Sequence, residues 1–457
     1  MTDAMTETTD AKSNSMTGSL ALAERNVPRY TSYPTAPHFS AAVGPEVYAG
    51  WLEALPRDAS LSLYIHVPFC TELCHYCGCN TRAVRKREPV DAYAERLIDE
   101  ISLLAALKGR KLTHLHWGGG TPSILGPHWL ETLAARLASL FDLSTLKEHA
   151  IELDPRRVDK ALSRALKLIG VNRASLGVQD ASPHVQQLIG RVQPFELVER
   201  ATDDLRAAGI ENLNIDLMYG LPGQGTREVA HSAELSASLN PQRLALFGYA
   251  HVPWFKTHQR LMPDAELPGV EARLEQAEVA AETLQSFGYK LIGLDHFALP
   301  GDELAIAAAE HRLHRNFQGY TVDDADALIG LGASAIGKLP QGFVQNAPDL
   351  GGYTRSVAGG HFPIVKGLAL SDDDRVRAAI IERLMCDLAV DLDTVDGGAT
   401  RFADALAELK PLADQGLVTL DGARVTVTEC GRPYIRIAAA AFDAYLNSGQ
   451  KRHSVAV

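Results

Sequence analysis

Four cysteines stand within ten residues of one another: Cys70, Cys74, Cys77 and Cys79, in the stretch from Tyr64 to Asn80. The first three are spaced C-x3-C-x2-C. Three thiolates that close can hold three irons of a cubane cluster and leave the fourth iron open. An open iron can bind and reduce a small molecule, so the spacing points to redox chemistry. The ligand is the thiolate, and a free cysteine with a pKa of about 8.5 is mostly protonated at neutral pH until a metal displaces the proton. Cys79 either completes a four-thiolate site or acts beside the cluster. A tetrahedral structural zinc is the alternative. Zinc ribbons, however, usually join two separated cysteine pairs, and here all four cysteines lie on one short loop.

Further polar and glycine-rich segments follow apolar runs. Leu112–Trp117 leads into Gly118-Gly119-Gly120-Thr121-Pro122, where the backbone is open to close approach by a ligand or makes a tight turn. Glu152 and Asp154 end the next run, then Gln179 and Asp180, then Asp216, then Tyr249-Ala250-His251. Taken singly, Glu152 or Asp216 could cap a following helix. Arg191 follows the fourth run and could grip a carboxylate with both prongs of its guanidinium or lie solvated on the surface. Two segments, 28–35 and 314–321, mix aromatics, hydroxyls and arginines (Arg29, Arg315) with no periodicity.

These residues need elements to position them. Leu61–Val67, Leu112–Trp117, Ala150–Leu153, Arg173–Val178, Asn212–Met218 and Arg243–Tyr249 read as strands separated by amphipathic helices. One such helix, Val90–Leu107, puts Tyr93, Leu97, Ile101 and Leu104 on a single face. Six strand–helix units in series predict a parallel α/β sheet, a partial (β/α)6 TIM-like barrel over residues 55–300. In such a barrel the C-terminal strand ends converge on one face. That gathers the cysteine loop and the polar endings into one site. Residues 301–364 are glycine-rich and read as a loop-rich segment completing the site. Residues 365–457 read as a small, mostly helical domain with a hairpin at Asp421-Gly422. Residues 23–54 form an N-terminal extension expected to cover the barrel mouth, and 1–22 a disordered head.

The chain has 457 residues, 46% hydrophobic and 22% charged, with a net charge of −12. No basic tract dominates, which argues against nucleic-acid or anionic-membrane partners. Six cysteines are too few for a disulfide scaffold, and their crowding suits a metal site in a reducing compartment. The N-terminus lacks the features of a signal or transit peptide, and no apolar stretch of spanning length occurs. The expected location is cytoplasmic, and without a visible dimer seam the expected state is a monomer.

The cysteine loop resembles that of the radical S-adenosylmethionine (SAM) enzymes. With Pro-Arg-Tyr-Thr-Ser-Tyr-Pro-Thr at 28–35, His-Trp-Gly-Gly-Gly-Thr-Pro at 116–122, Gly-Val-Gln-Asp at 177–180, Asn-Ile-Asp-Leu at 214–217, Tyr-Gly-Leu-Pro at 219–222 and His-Arg-Asn-Phe-Gln-Gly-Tyr at 314–320, the chain is similar to the oxygen-independent coproporphyrinogen III oxidases of haem biosynthesis. The resemblance implies a [4Fe–4S] cluster on Cys70, Cys74 and Cys77 and a SAM molecule on the open iron. It further implies a 5′-deoxyadenosyl radical that takes hydrogen from a substrate propionate. The substrate would be coproporphyrinogen III, and the electron donor and acceptor are unidentified. By family position, Tyr64, Gly120, Glu152 and Ile336 would contact this SAM. Tyr76, Thr121, Pro122, Gln179, Arg191, Asp216 and Ala250 would line a neighbouring site for a second SAM or for substrate. The family often has Phe at 76, and Tyr76 keeps the ring. Haem-chaperone-like relatives, which bind haem without oxidase activity, are the alternative. They lack the fourth cysteine and the 28–35 and 316–320 motifs. By that contrast Cys79 is an accessory to the chemistry rather than a ligand. A substrate with four carboxylates needs cations, because unpaired buried charge is costly. Arg29 and Arg315 are the expected partners of its propionates.

Overall fold

The structure, a computed structural model, describes residues 22–446. The expected head therefore lies outside the described residues but for Leu22. Six parallel strands come first: β1 (Leu61–Val67), β2 (Leu112–Gly119), β3 (Glu148–Leu153), β4 (Arg173–Gln179), β5 (Asn212–Tyr219) and β6 (Arg243–Gly248). Each pairs with the next in parallel register, for example Tyr64 opposite His116 and Gly177 opposite Asp216. Helices α1 (Glu88–Leu103), α2 (Gly126–Leu140), α3 (Lys160–Leu168), α4 (Phe195–Ala207) and α5 (Thr226–Ser238) make the crossovers, and α6 (Val270–Ser286) follows β6.

The sequence dictates these elements locally. Central strands of such a sheet are covered on both faces and so read as apolar runs. In β1 all but Tyr64 are buried. In α1, Val90, Tyr93, Ala94, Leu97 and Ile101 are buried at the spacing of one helical face. Asp159 caps α3 by accepting from the Leu162 N–H at 2.8 Å.

The sheet does not close. Its order is β12-β11-β10-β9-β1-β2-β3-β4-β5-β6-β8-β7, with β7 (Lys290–Ile292), β8 (His296–Ala298), β9 (Ala327–Leu331), β10 (Ile336–Leu339), β11 (Gly342–Asn346) and β12 (Ile364–Ala369). The expected loop-rich segment thus supplies strands to the same sheet. β9 runs parallel to β1, placing Gly330 opposite Tyr64, and β10 to β12 return antiparallel. The strands β9 to β12 have four to six residues, and glycines interrupt their apolar pattern, so neither periodicity nor length betrays them. Arg315, expected in an irregular loop, belongs to a hairpin of 314–316 with 319–321.

One buried side chain fastens the added strands. Glu100 of α1 accepts from Gly332 N, Asn346 Nδ2 and Tyr353 Oη, each at 2.7 Å. At the opposite, N-terminal end of the strands, Arg173 and Arg243 pair with Glu148 and Asp302 at 2.6–3.4 Å. That end of a barrel carries stability rather than chemistry.

The C-terminal domain comprises α7 (Asp372–Asp387), α8 (Ala403–Asp414), α9 (Ile435–Ala440) and a three-stranded sheet of 389–391, 418–421 and 424–427. The main sheet reaches Ala369 through β12, past the expected boundary at 365. The N-terminal extension divides. Ala23, Val27, Tyr30 and Tyr33 enter the C-terminal domain's core, whereas Tyr48 and Leu52 of the helix Pro45–Glu53 pack on the main core. Among the described residues no helix is long and apolar enough to cross a membrane.

Candidate functional site

The cysteine loop leaves the C-terminal end of β1 and is clamped from two sides. On one side β2 lies against it: Gly120 N donates to Val67 O and Thr121 N to Phe69 O, both at 2.8 Å. A Cβ on Gly120 would stand 2.5 Å from both Phe69 O and Thr81 Oγ1, so only glycine permits this approach. Gly118 and Gly119 are needed for the same reason, crowded by Glu152 and Tyr64 and by His66. The glycine run therefore seats protein atoms: the room at Gly120 is taken by the loop itself, and that at Gly118 and Gly119 by Tyr64, His66 and Glu152.

On the other side, residues 256–259 hold the loop's backbone. Lys256 Nζ donates to Cys79 O at 2.8 Å, His258 Nε2 lies 2.7 Å from Cys77 O, and Gln259 Nε2 donates to Tyr76 O and Ala250 O at 3.0 and 3.3 Å. Gln259 is fully buried. The sequence reading missed all three. Their polar side chains sit in an aperiodic stretch that gives no signal.

All six cysteines are free thiols. Cys70 shares a hydrogen bond with Thr81 Oγ1 at 3.3 Å and accepts one from Thr121 Oγ1 at 3.5 Å; burial nonetheless raises its pKa. Arg191 Nη1 donates to Cys74 Sγ at 3.5 Å. The Cys79 thiol hydrogen-bonds to Cys77, which drops Cys77 to about 7 and raises Cys79. Cys79 is reached by solvent. Among the described residues no three His, Cys, Asp or Glu side chains converge on one point where a single ion could sit. A cubane takes its thiolates at separate corners, and hydrogen bonds to the sulfurs tune it. The donor set fits the cluster.

The other predicted residues surround this loop. Glu152 lies 3.2 Å from His116 Nε2 and accepts from Gly119 N at 3.1 Å. The Tyr64 hydroxyl is 3.0 Å from His66 Nδ1, and its ring stacks on His116 with centroids 5.8 Å apart. Ile336 adjoins Gly330, whose Cβ would stand 2.8 Å from the Ile336 carbonyl, and Gly330 pairs with Tyr64. Tyr64, Gly120, Glu152 and Ile336 thus form one neighbourhood spanning four strands. His66 and His116, absent from the sequence-derived set, fix its geometry.

The second set lies beside it. Asp216 accepts from Ser175 Oγ and Asn214 Nδ2, each at 2.8 Å; burial carries its carboxyl up to about 6 despite these bonds. Gln179 has a φ of 70° where the β4–β5 register slips, a conformation that costs a non-glycine residue roughly 1–2 kcal/mol. Such strain is concentrated at functional sites. Arg191 is 7% exposed and does not grip one carboxylate with both prongs. Its Nη2 donates to Gly177 O at 2.6 Å and meets Asp154 Oδ1 at 3.4 Å, while Nη1 faces Cys74. Burial would raise Asp154, but Arg156 and Arg191 outweigh it and hold the carboxyl low. Thr121 and Pro122 are buried where β2 turns into a short helical turn. Tyr76 and Ala250 face each other across Gln259.

Arg29 and Arg315 lie together. Both line a cavity of about 600 Å³ between β6, α6 and the C-terminal domain, and Ala250 joins its wall. Arg29 Nη2 donates to Gly248 O, at the end of β6, at 3.1 Å.

An open parallel sheet whose first strand delivers three thiols to its C-terminal face is the arrangement of the radical SAM superfamily, and that superfamily's model matches residues 64–236. A model of the HemN C-terminal domain matches residues 370–434. The chain is 47% identical to the oxygen-independent coproporphyrinogen III oxidase of Bradyrhizobium diazoefficiens over 96% of its own length and 99% of that protein's. It is 40% identical to the Escherichia coli oxidase over 92% of this chain and 93% of that one. The solved structure of the E. coli coproporphyrinogen III oxidase HemN, a radical SAM enzyme, superimposes with a TM-score of 0.87 at 38% identity, covering 92% of this chain and all of that one. The chain belongs to the oxygen-independent coproporphyrinogen III oxidase family. Enzymes of the superfamily use a [4Fe–4S] cluster and SAM.

Proposed function

We propose that this protein converts coproporphyrinogen III to protoporphyrinogen IX without oxygen. Two propionates become vinyl groups. Each conversion removes one hydrogen atom and one electron and releases CO2. The observation that carries the reading is the three-thiol loop held against the polar ends of β1 to β6.

Cys70, Cys74 and Cys77 hold the cluster. Bound together, cluster and SAM supply the radical that takes hydrogen from the substrate propionate. Tyr64, Gly120, Glu152 and Ile336 surround the SAM bound there. Glu152, anchored by His116 and Gly119 N, presents a carboxylate suited to an ammonium group. Tyr76, Thr121, Pro122, Gln179, Arg191, Asp216 and Ala250 line the adjoining space, which takes a second SAM or the substrate's reacting arm. The protein's work is orientation: reacting atoms must stand about 3–3.5 Å apart. Arg29 and Arg315 pair with propionates, which their shared cavity supports. Residues 55–369 act as the radical-generating body, and the C-terminal domain together with residues 23–33 closes over its flank. Free thiols throughout suit a cytoplasmic setting, and the chain acts as a monomer.

Anaerobic incubation with coproporphyrinogen III, SAM and a reductant tests this. Protoporphyrinogen and 5′-deoxyadenosine are expected. Tight haem binding without conversion would favour a haem chaperone instead.

A further inference from the structure

The cavity holding Arg29 and Arg315 carries more cations than the sequence suggests. Arg273 of α6 and Arg436 of α9 also line it. The chain as a whole bears a charge of −12, yet five arginines line this one cavity, Arg432 among them. Arg436 is 6% exposed, and the Arg315 side chain 5%. Arg273 Nε and Arg315 Nε are buried with no hydrogen-bond partner.

Two of these cations, Arg273 and Arg315, are under-compensated. Asp295, its side chain 16% exposed, is the half-buried carboxylate among them, and it is already engaged by His296 Nδ1 at 2.8 Å and by Arg315 at 3.8 Å. The other carboxylates on the lining, Glu278, Glu282 and Glu429, are exposed. Glu429 is bound to Arg432 at 2.7 Å. Burial, with Arg29 and Arg315 adding to it, pulls Arg436 down to about 10. Burial and Arg29 likewise lower Arg273, although the ring of Tyr219 lies 5.8 Å from its guanidinium carbon. Holding like charges together in a half-dry cavity is costly unless an anion arrives.

The walls between the arginines are apolar: Leu246, Phe247, Leu274, Leu291 and Phe297. A ligand matching both features is a broad apolar ring system bearing several carboxylates. A cavity near 600 Å³ suits one such molecule. Guanidinium forks suit carboxylates in particular.

We propose that this cavity is where the tetrapyrrole's non-reacting carboxylates are recognised, with Arg273 and Arg436 as specificity-determining residues beside Arg29 and Arg315. This rests on the porphyrinogen reading above and gives the C-terminal domain a task, because α9 contributes Arg436. Gly248, Tyr249 and Ala250 line the cavity, and Gln259 links Ala250 to the cysteine loop, so a ligand anchored here reaches toward the thiols.

The test is equilibrium titration of the purified holoprotein with coproporphyrin III, the air-stable ring with the same four propionates, and with its tetramethyl ester. The acid is expected to bind at least about 10-fold more tightly than the ester. Arg273→Gln and Arg436→Gln are each expected to weaken acid binding by about 10-fold while leaving ester binding unchanged, and Arg→Lys to recover part of the loss. Equal binding of acid and ester by the unaltered protein overturns the proposal without any variant. So do Gln variants that bind the acid as before, or that lose acid and ester alike. The anaerobic assay separates the two readings. Arginine-dependent acid binding without conversion would sink the oxidase and spare the cavity, whereas conversion with arginine-independent binding would do the reverse.

Discussion

Arg191 and Cys74 are 117 residues apart in sequence, yet the Arg191 Nη1 donates to the Cys74 sulfur at 3.5 Å from a buried position. A fixed cation against a ligating sulfur favours the more negative, reduced state of a cluster. Arg191→Gln should therefore move the cluster's midpoint potential downward. A loss of about 1.4 kcal/mol corresponds to roughly 60 mV for a one-electron couple. Potentiometric titration followed by electron paramagnetic resonance reads this directly; an unchanged potential would show that the contact carries no such weight.

The cysteines should divide into two classes. Serine at 70, 74 or 77 is expected to abolish iron and sulfide incorporation in anaerobically reconstituted protein. Cys79→Ser should retain the cluster and impair turnover, since a serine hydroxyl can still donate to Cys77 but is no thiol. Loss of iron from the Cys79 variant would make it a ligand after all.

Gly120 and Gly78 make a matched pair. A Cβ at 120 collides with backbone at 2.5 Å, whereas one at 78 meets nothing within 4 Å. Gly120→Ala should displace the cysteine loop and lower cluster content several-fold. Gly78→Ala should leave it near normal. Iron analysis of both proteins, with thermal melting as a check on the barrel, is sufficient.

Glu100 predicts a pH dependence of stability unrelated to catalysis. Burial raises its carboxyl from 4.5 to about 7, against three hydrogen bonds that favour the charged form. The folded state therefore binds a proton that the unfolded state releases between these values. The contribution is full below about 4.5 and is lost as pH rises through about 7, a change of about 3 kcal/mol at most. Denaturant midpoints at pH 5.5 and 8 should differ accordingly, and Glu100→Gln should flatten the slope. An identical slope in the variant would contradict the assignment.

Much of this was legible in the sequence because long-period signals survive. β1 to β6 each carry an apolar run or an apolar alternation, as Leu213, Ile215 and Leu217 do in β5, and α1 has a clean stripe, so the parallel body emerges from pattern alone. The strand ends then gather Glu152, Gln179 and Asp216 on the cysteine face without further information. β9 to β12 were not legible, since glycines break their apolar patterns and none of them exceeds six residues. The residues holding the loop, Lys256, His258 and Gln259, were hidden because each acts through one hydrogen bond to a distant backbone carbonyl. Arg273 and Arg436 were hidden differently. Each lies in a helix, where an arginine reads as solvated, and only the packing of α6 and α9 around one cavity makes them neighbours. The role expected of Arg191 was too simple, because its neighbours come from three separate strand ends.

The C-terminal domain's core is completed by residues from the other end of the chain. Tyr30 Oη donates to Asp443 Oδ2 and Tyr33 Oη accepts from Ala444 N, both at 3.0 Å, while Ala23 and Val27 are buried in the same cluster. The sequence-family boundary at 370 is therefore not a folding boundary. A fragment cut there would present an open apolar groove to solvent, and supplying residues 22–33 as a separate peptide should restore its cooperativity. A short deletion near the N-terminus would be felt first some 400 positions away, at Asp443 and Ala444.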